Sequence, residues 1–206
     1  MPSCWHSAGS TISYTPTMES TEVHTSDKGW FAPWTTEHRG IPRLVRPART
    51  QDVADILNVI GEAKAFMVST GNTQQWQGAY PAAEHIEADI AHRGGYVVEE
   101  TGRVVGYFAF LASPEPTYAR IYDGRWLDDA QPYHVIHRIA ALKTTRGIFH
   151  TVMDYCALWE KNLRVDTHRD NRVMQHLLLQ HGFTYCGIIH LASGDERLAY
   201  QRLSSS

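Results

Sequence analysis

The sequence predicts a single α/β (α+β) domain in which helices flank both faces of a mixed central β-sheet. Three observations predict this class. Apolar residues recur at helical spacing after Thr50, and Thr101-Gly102 joins two apolar runs in the manner of a hairpin turn. The second half holds two strand–turn–helix units, Tyr133–Cys156 and Leu163–Phe183. The expected order of elements is βααβββαβαββ.

The first half is expected to hold three strands and two helices. A short strand at Arg43–Arg46 precedes a helix that Thr50 caps. Its apolar face consists of Val53, Ile56, Leu57 and Ile60. A second helix, Ala82–His92, ends before two consecutive glycines. Tyr96–Glu100 and Arg103–Leu111 then form a hairpin.

The second half begins with an aromatic-rich loop at Pro114–Pro132 and then alternates strands with helices. The expected elements are strand Tyr133–Ala141, helix Gly147–Lys161, strand Leu163–Thr167, helix Asn171–His181, and a closing pair of strands, Phe183–Leu191 and Glu196–Leu203. The turn before Gly147 matters for function. The first amides of a helix have no intrahelical partner and carry the positive end of its dipole, so this turn is expected to hold a phosphate.

The two units resemble the GNAT superfamily of N-acetyltransferases, over Pro42 to Leu203. In that family the turn follows the pattern Gln or Arg, two residues, Gly, one residue, then Gly or Ala. Here the turn is Thr144–Phe149, and its central Gly147 matches. The family also has an Asn eleven residues before a Gly-Phe pair. Asn171 and Gly182-Phe183 keep that spacing.

The resemblance implies that acetyl-coenzyme A is a co-substrate lying along the strand Tyr133–Ala141. That strand would diverge from its parallel neighbour and pair with the pantetheine arm through the backbone of His137, Ile139 and Ala141. The alternative is an ordinary interior strand followed by a loop with an unrelated glycine. The expected cofactor-binding residues are Ile139, Ala141, Thr144, Thr145, Arg146, Gly147, Ile148, Phe149, His150 and Asn171.

Two positions depart from the family pattern. Phe149 replaces a small residue that lets the backbone approach the pyrophosphate, so its ring either packs against the helix or weakens the site; we favour packing. Leu178 stands where the family often has a tyrosine that protonates the departing thiolate. These departures keep open a second hypothesis, a catalytically silent acyl-coenzyme A sensor. A toxin-like acetyltransferase acting on charged tRNA is disfavoured by the net charge of −3.

The strand before the turn supplies the candidate catalytic residues. Tyr133, Val135, His137 and Ile139 are expected on one face, which in the family carries the general base. An imidazole ordinarily titrates near neutrality, so His137 is the candidate base, with Tyr133 orienting the amine or a water. A structural histidine bonded to the backbone is the equal alternative. Tyr185 or solvent is the candidate acid for the thiolate.

The acceptor pocket in the family is built by the first two helices, the loop before the fourth strand and the last hairpin. Here those segments supply the predicted substrate-binding residues Trp76, Tyr80, Tyr122 and Trp126. Aromatic rings with nearby carboxylates suit a primary amine on a small-molecule or amino-acid-like body. About half of these rings are expected in the core instead.

Composition bounds the partners. The net charge of −3 argues against nucleic-acid and membrane-surface partners, which require a basic field. Three cysteines without CxxC spacing indicate reduced thiols and a cytoplasmic location. No metal is expected, because His134 and His137 would lie on opposite faces of a strand. The oligomeric state stays open, a homodimer included.

The N-terminal region differs from the rest. Its first 28 residues contain eleven Ser or Thr and almost no aliphatic periodicity. The sequence therefore predicts an extension over residues 1–40, disordered or loosely docked, followed by the acetyltransferase-like domain over residues 41–206. The aromatic stretch Trp30–Trp34 either docks on the domain or belongs to a loose linker, which is the favoured alternative.

Overall fold

The computed structural model describes residues 31–204, which form one eight-stranded sheet with four α-helices. The strands are β1 Trp34–His38, β2 Ile41–Pro47, β3 Gly95–Glu100, β4 Arg103–Ala112, β5 His134–Ala141, β6 Asn162–Thr167, β7 Thr184–His190 and β8 Glu196–Leu203. The helices are α1 Val53–Ser69, α2 Ala83–Ala91, α3 Ile148–Trp159 and α4 Arg172–Gln180. The predicted fold class and the predicted order from β2 onward are confirmed.

The sheet order is β1-β2-β3-β4-β5-β6-β8-β7, and neighbouring strands run antiparallel except β5 and β6. The parallel β5–β6 pairing comprises only His134 with Leu163 and Val135 with Arg164. Strand β5 nevertheless continues against β4 as far as Ala141. The sheet therefore opens between β5 and β6 after Val135, and one edge of β5 faces the gap.

A bulge in β5 lies at the start of this gap. The register with β4 shifts where Tyr107 pairs with Ala140 and Ala109 pairs with His137, and Arg138 has a φ of 55°. A non-glycine residue in this left-handed region needs compensating contacts. The Arg138 guanidinium makes a two-point ion pair with Asp89, which also accepts a 2.6 Å hydrogen bond from the Tyr107 hydroxyl.

The bulge also changes which residues share a face. Tyr133 and Val135 belong to a small apolar cluster, and His137 lies beside Tyr118 of the same cluster. Ile139 instead packs against the main core. The predicted common face therefore extends only to His137, because the extra residue at the bulge breaks the two-residue alternation.

The sheet begins earlier than predicted. Strand β1 pairs antiparallel with β2, in residues that the sequence analysis assigned to the extension. Phe31, just before it, stacks on Trp159 with ring centroids 5.1 Å apart, and the Tyr155 hydroxyl donates to the Ala32 carbonyl at 3.0 Å. The aromatic stretch docks in the part that the structure describes, and residues 1–30 lie outside the described residues. The mostly polar sequence of β1 hid this strand, because an edge strand buries only one face.

Within residues 31–204, no helix has the length and apolar character needed to cross a membrane.

Candidate active site

Two cavities meet where β5 leaves β6. The larger has a volume of about 540 Å³ and the smaller about 230 Å³. Four residues line both cavities: Met67, Ile139, Asn171 and Met174. The gap in the sheet therefore joins two compartments, one on each side of this shared wall.

The smaller cavity lies among the end of β5, the start of α3 and α4. Six of the predicted cofactor residues line it, namely Ile139, Ala141, Thr145, Ile148, Phe149 and Asn171. The wall is mostly apolar, with Phe66 from α1 and Leu177 from α4 opposite the strand. The other predicted residues, Thr144, Arg146, Gly147 and His150, lie in the adjoining turn and the first turn of α3, outside the described lining.

A buried arginine, Arg43, stabilises the turn before α3 by hydrogen bonds to its backbone. Gly147 has a φ of 74°, and a Cβ added there would lie 2.4 Å from the His38 ring. The Arg43 guanidinium donates to the carbonyl oxygens of Arg146 and Gly147 and, at 2.8 Å, to the Thr151 hydroxyl. These carbonyls are thereby directed toward the sheet. The left-handed backbone favours glycine here, and the His38 ring of β1 would have to move to admit a Cβ.

The two departures from the family pattern have structural explanations. Phe149 is buried, and its ring contacts His181 edge-on with centroids 5.0 Å apart, although the residue also lines the smaller cavity. Leu178 is fully buried in the main core. Among the described residues, it lines neither cavity.

His137 is the polar centre of the larger cavity. Its Nε2 lies 3.2 Å from Glu115 Oε2 and its Nδ1 lies 3.6 Å from Asp166 Oδ1, and both carboxylates line the same cavity. The Tyr118 hydroxyl donates a 2.7 Å hydrogen bond to Asp166. The imidazole remains 19% exposed. His137 therefore lies between two carboxylates. The described polar contacts of its ring are with these side chains, whereas the alternative interpretation of a structural histidine expected a backbone partner.

Of the two carboxylates flanking His137, that of Glu115 is held ionised by its contacts, which lower its pKa. The hydrogen bond with His137 lowers the pKa of Glu115 to about 2, and the Thr117 amide and hydroxyl donate to the same carboxylate. Burial raises the pKa of Tyr118 well above its ordinary value, so that hydroxyl stays protonated and can donate to Asp166. The larger cavity thus presents an imidazole between the carboxyl groups of Glu115 and Asp166.

The fold is shared with solved structures. A GNAT-family acetyltransferase from Streptococcus agalactiae 2603 is 34% identical, with a TM-score of 0.73; the match covers 80% of this chain and 96% of that chain.

This chain belongs to the GNAT family of acetyltransferases.

Other GNAT-like structures are more distant. A protein from Staphylococcus aureus Mu50 is 27% identical with a TM-score of 0.56, covering 77% of this chain and 97% of that chain. A GNAT-family acetyltransferase from Listeria monocytogenes 4b F2365 is 19% identical, with a TM-score of 0.61 and coverage of 82% and 99%, and shares the fold. Neither the family models nor the curated proteins contain a match to this chain.

Two of the predicted GNAT catalytic residues lie away from the cavities. The Tyr133 ring stacks under the Arg164 guanidinium at 3.8 Å, and its hydroxyl accepts a 3.4 Å hydrogen bond from the Glu115 amide. Tyr133 therefore positions the loop that carries Glu115. Tyr185 lies on the edge strand β7, 45% exposed, with its ring 5.7 Å from that of Tyr200. Neither tyrosine lines either of these two cavities, and the structure does not support Tyr185 as an acid at this site.

The predicted acceptor residues divide evenly. Trp76 and Tyr80 line the larger cavity. Trp126 is buried, stacks on Tyr118 at 5.4 Å and donates to that residue's carbonyl, so it belongs to the small apolar cluster. Tyr122 pairs with Ile188 on β7 and is outside the described lining of the cavity. The sequence identifies the aromatic residues, but it does not show whether each ring faces the cavity or packs elsewhere in the fold.

His134 provides a contrast on the same strand. Its Nδ1 lies 3.0 Å from Glu160 Oε2, and its ring contacts Phe110 of the main core. Burial lowers the pKa of His134. His134 and His137 therefore lie on opposite faces, as predicted. Among residues 31–204, no group of three or more His, Cys, Asp or Glu side chains is placed to hold a metal ion.

Sequence reasoning did not place the polar residues Glu115, Asp166 and Gln75 together with His137. Glu115 comes from a loop, Asp166 from β6, and Gln75 from the loop after α1. Gln75 accepts a 2.8 Å hydrogen bond from Asn171, which also caps α4 by accepting from the Met174 amide. The available signals were the position of Asp166 near the end of a parallel strand and of Gln75 beside Trp76. The pairing with His137 is a tertiary contact that no local pattern predicts.

The first prediction concerns the Gly147 turn. We expect Gly147→Ala to lower the free energy of unfolding by about 2 kcal/mol, from left-handed strain and the clash with His38. In a His38→Ala background the same change should cost only about 1 kcal/mol, because the strain alone remains. Urea unfolding of the four proteins measures both costs. Equal costs in the two backgrounds would contradict the clash with the His38 ring.

The second prediction concerns Glu115 and pH. The pKa of Glu115 falls from an ordinary 4.5 to about 2 on folding, so its stabilisation is fully present above pH 4.5 and is lost as the pH falls through about 2. We expect Glu115→Gln to cost roughly 3 kcal/mol at pH 7 and progressively less below pH 4.5. Urea titrations from pH 7 to 3 measure this. Glu84→Gln, at an exposed position, is the matched control. A cost independent of pH would refute the ionic contact.

Proposed function

We propose that this GNAT-family protein transfers an acetyl group directly from acetyl-coenzyme A to the primary amine of a small or amino-acid-like molecule. The observation that carries the proposal is the position of His137. It lies where β5 leaves β6, in a cavity that shares a wall with the groove beside α3. An acyl donor on one side and an amine on the other would meet at this wall.

The groove beside α3 fits the co-substrate. Beyond Val135, the edge of β5 that faces the gap has backbone groups available to an extended amide-containing arm. The apolar wall around Ile139 and Leu177 suits that arm, and the first amides of α3 suit a pyrophosphate. When bound there, acetyl-coenzyme A supplies an activated thioester. We assign the pantetheine contacts to β5 and the pyrophosphate contacts to the Thr145–His150 turn.

His137 is the base in this proposal. An alkylammonium with a pKa of about 10.4 must lose a proton before its nitrogen can attack a carbonyl. His137 accepts that proton at a ring nitrogen, directly or through a water. Glu115 and Asp166 then stabilise the imidazolium, and Tyr118 fixes the orientation of Asp166. A β5 backbone amide supports the carbonyl oxygen.

The departing thiolate is protonated by solvent in this scheme. Leu178 is in the core, and Tyr185 is on the outer strand of the sheet. The buried Leu178 is the observation that favours the second candidate function, a silent acyl-coenzyme A sensor. Binding alone, however, requires no imidazole between two carboxylates in the neighbouring cavity. Turnover therefore separates the two candidates.

The third prediction tests the base. With a mixed library of primary amines, coenzyme A release followed by mass spectrometry should detect acetylated products. His137→Ala should lower turnover about 10²- to 10⁴-fold with little change in coenzyme A affinity. His134→Ala is the matched control, because it lies on the opposite face of the same strand and should retain turnover. Equal turnover of the two folded variants would exclude His137 as the base. Coenzyme A binding by the wild type without any product would favour the sensor.

A further inference from the structure

A buried arginine lines the larger cavity on the side of β8. Arg197 is 5% exposed and is the second residue of β8. It lies beside the loop from Leu191 to Asp195, which forms the rim of the cavity. Its guanidinium donates to two backbone carbonyls, that of Glu196 at 2.9 Å and that of Gln75 at 3.5 Å. A guanidinium has five N–H donors, so others remain available to a ligand in the cavity that Arg197 lines.

The other buried arginines have anionic partners. Arg43 lies 2.7 Å from Glu100, Arg46 lies 2.7 Å from Asp52, and Arg164 lies 2.9 Å from Asp129. Over residues 31–204, Arg197 has no carboxylate within 4.0 Å. A buried charge without a counterion is costly, and the cost is recovered when an anion binds.

The cavity therefore has two electrostatically different regions. The first contains His137 with Glu115 and Asp166 and suits an ammonium group. The second contains Arg197. Asp166 on β6 pairs with Ala199 on β8. Arg197 is two residues before Ala199 on β8, so its side chain lies on the same face of the sheet as those of Ala199 and Asp166. Such diagonal positions are about 7–8 Å apart, which is within the span of one small molecule.

We propose that the acceptor carries a carboxylate that Arg197 binds, with its amine directed toward His137. The substrate class is thus a free amino acid or closely similar amino carboxylate. This inference rests on the function proposed above and narrows its acceptor from primary amines in general to amino carboxylates. Asp195 on the rim is exposed and accepts a 2.8 Å hydrogen bond from the Ser193 hydroxyl, and it stays more than 4.0 Å from Arg197. It therefore does not fill the anion position.

The fourth prediction compares matched acceptors. Each set contains an amino acid, its carboxamide and its decarboxylated amine, such as phenylalanine, phenylalaninamide and phenethylamine. Wild-type kcat/KM should be about 10- to 100-fold higher for the acid, since charge-assisted hydrogen bonds to the carboxylate are lost with the other two. Arg197→Gln should remove that preference by lowering kcat/KM for the acid far more than for the amide. Arg197→Lys should retain part of it.

The controls separate recognition from folding. Arg169→Gln changes an exposed arginine bonded to Glu196 and should leave the preference intact. If Arg197 only holds the Gln75 carbonyl, Arg197→Gln will lower turnover of acid and amide equally, which would overturn the inference. Equal use of acids and amides by the wild type would overturn it without any variant.

A second measurement keeps the inference distinct from the proposed function. Calorimetric titration of phenylalanine and phenylalaninamide into the protein with coenzyme A present measures acceptor binding without chemistry. Product formation with amides but not acids would support the acetyltransferase and overturn the carboxylate site. Absence of product with every amine would refute the proposed acetyltransferase activity, and the titration would then decide the inference about Arg197. Tighter binding of phenylalanine than of its amide would support the carboxylate site. Equal or absent binding would overturn it.

Discussion

The separation of β5 from β6 is the constraint on which the site depends. Two parallel residue pairs hold the strands together, and after Val135 they part. The β5 bulge at Arg138 lies at this point, and the ion pair with Asp89 and the bond from Tyr107 to Asp89 keep it in its left-handed conformation. Both cavities open onto the resulting gap. A sheet that closed here would remove the acyl groove and the wall that joins it to His137.

Buried polar groups do much of the positioning around this gap. Arg43 behind the Gly147 turn directs carbonyls away from the start of α3, and Tyr133 and Tyr118 hold Glu115 and Asp166 by single hydrogen bonds. These groups have partners within the fold, so they can orient their neighbours without ligand. Arg197 differs, because its described partners are neutral carbonyls. Structural and ligand-binding cations are therefore distinguished by their counterions and not by their burial.

The sequence predicted the elements well and the site unevenly, for physical reasons. Helical and two-residue periodicity is local, so helices and strands from β2 onward were recovered, together with the residues that begin α3 and α4, Gly147 and Asn171. Strand β1 was missed because an edge strand with one buried face has little apolar signal. Tyr185, Tyr122 and Trp126 were misplaced, since composition does not say toward which cavity a ring turns. Glu115 and Asp166 are long-range partners, and one bulge decided which β5 residues join them.

Amide hydrogen exchange with and without coenzyme A tests the central claim most directly. If the open edge of β5 binds the pantetheine arm, peptides covering residues 136–141 and the first turn of α3 will exchange more slowly in its presence, because backbone groups at the gap become paired or shielded. Peptides from β7 at the far edge should be unchanged. Protection confined to other segments, or coenzyme A binding without slower exchange in β5, would contradict the account.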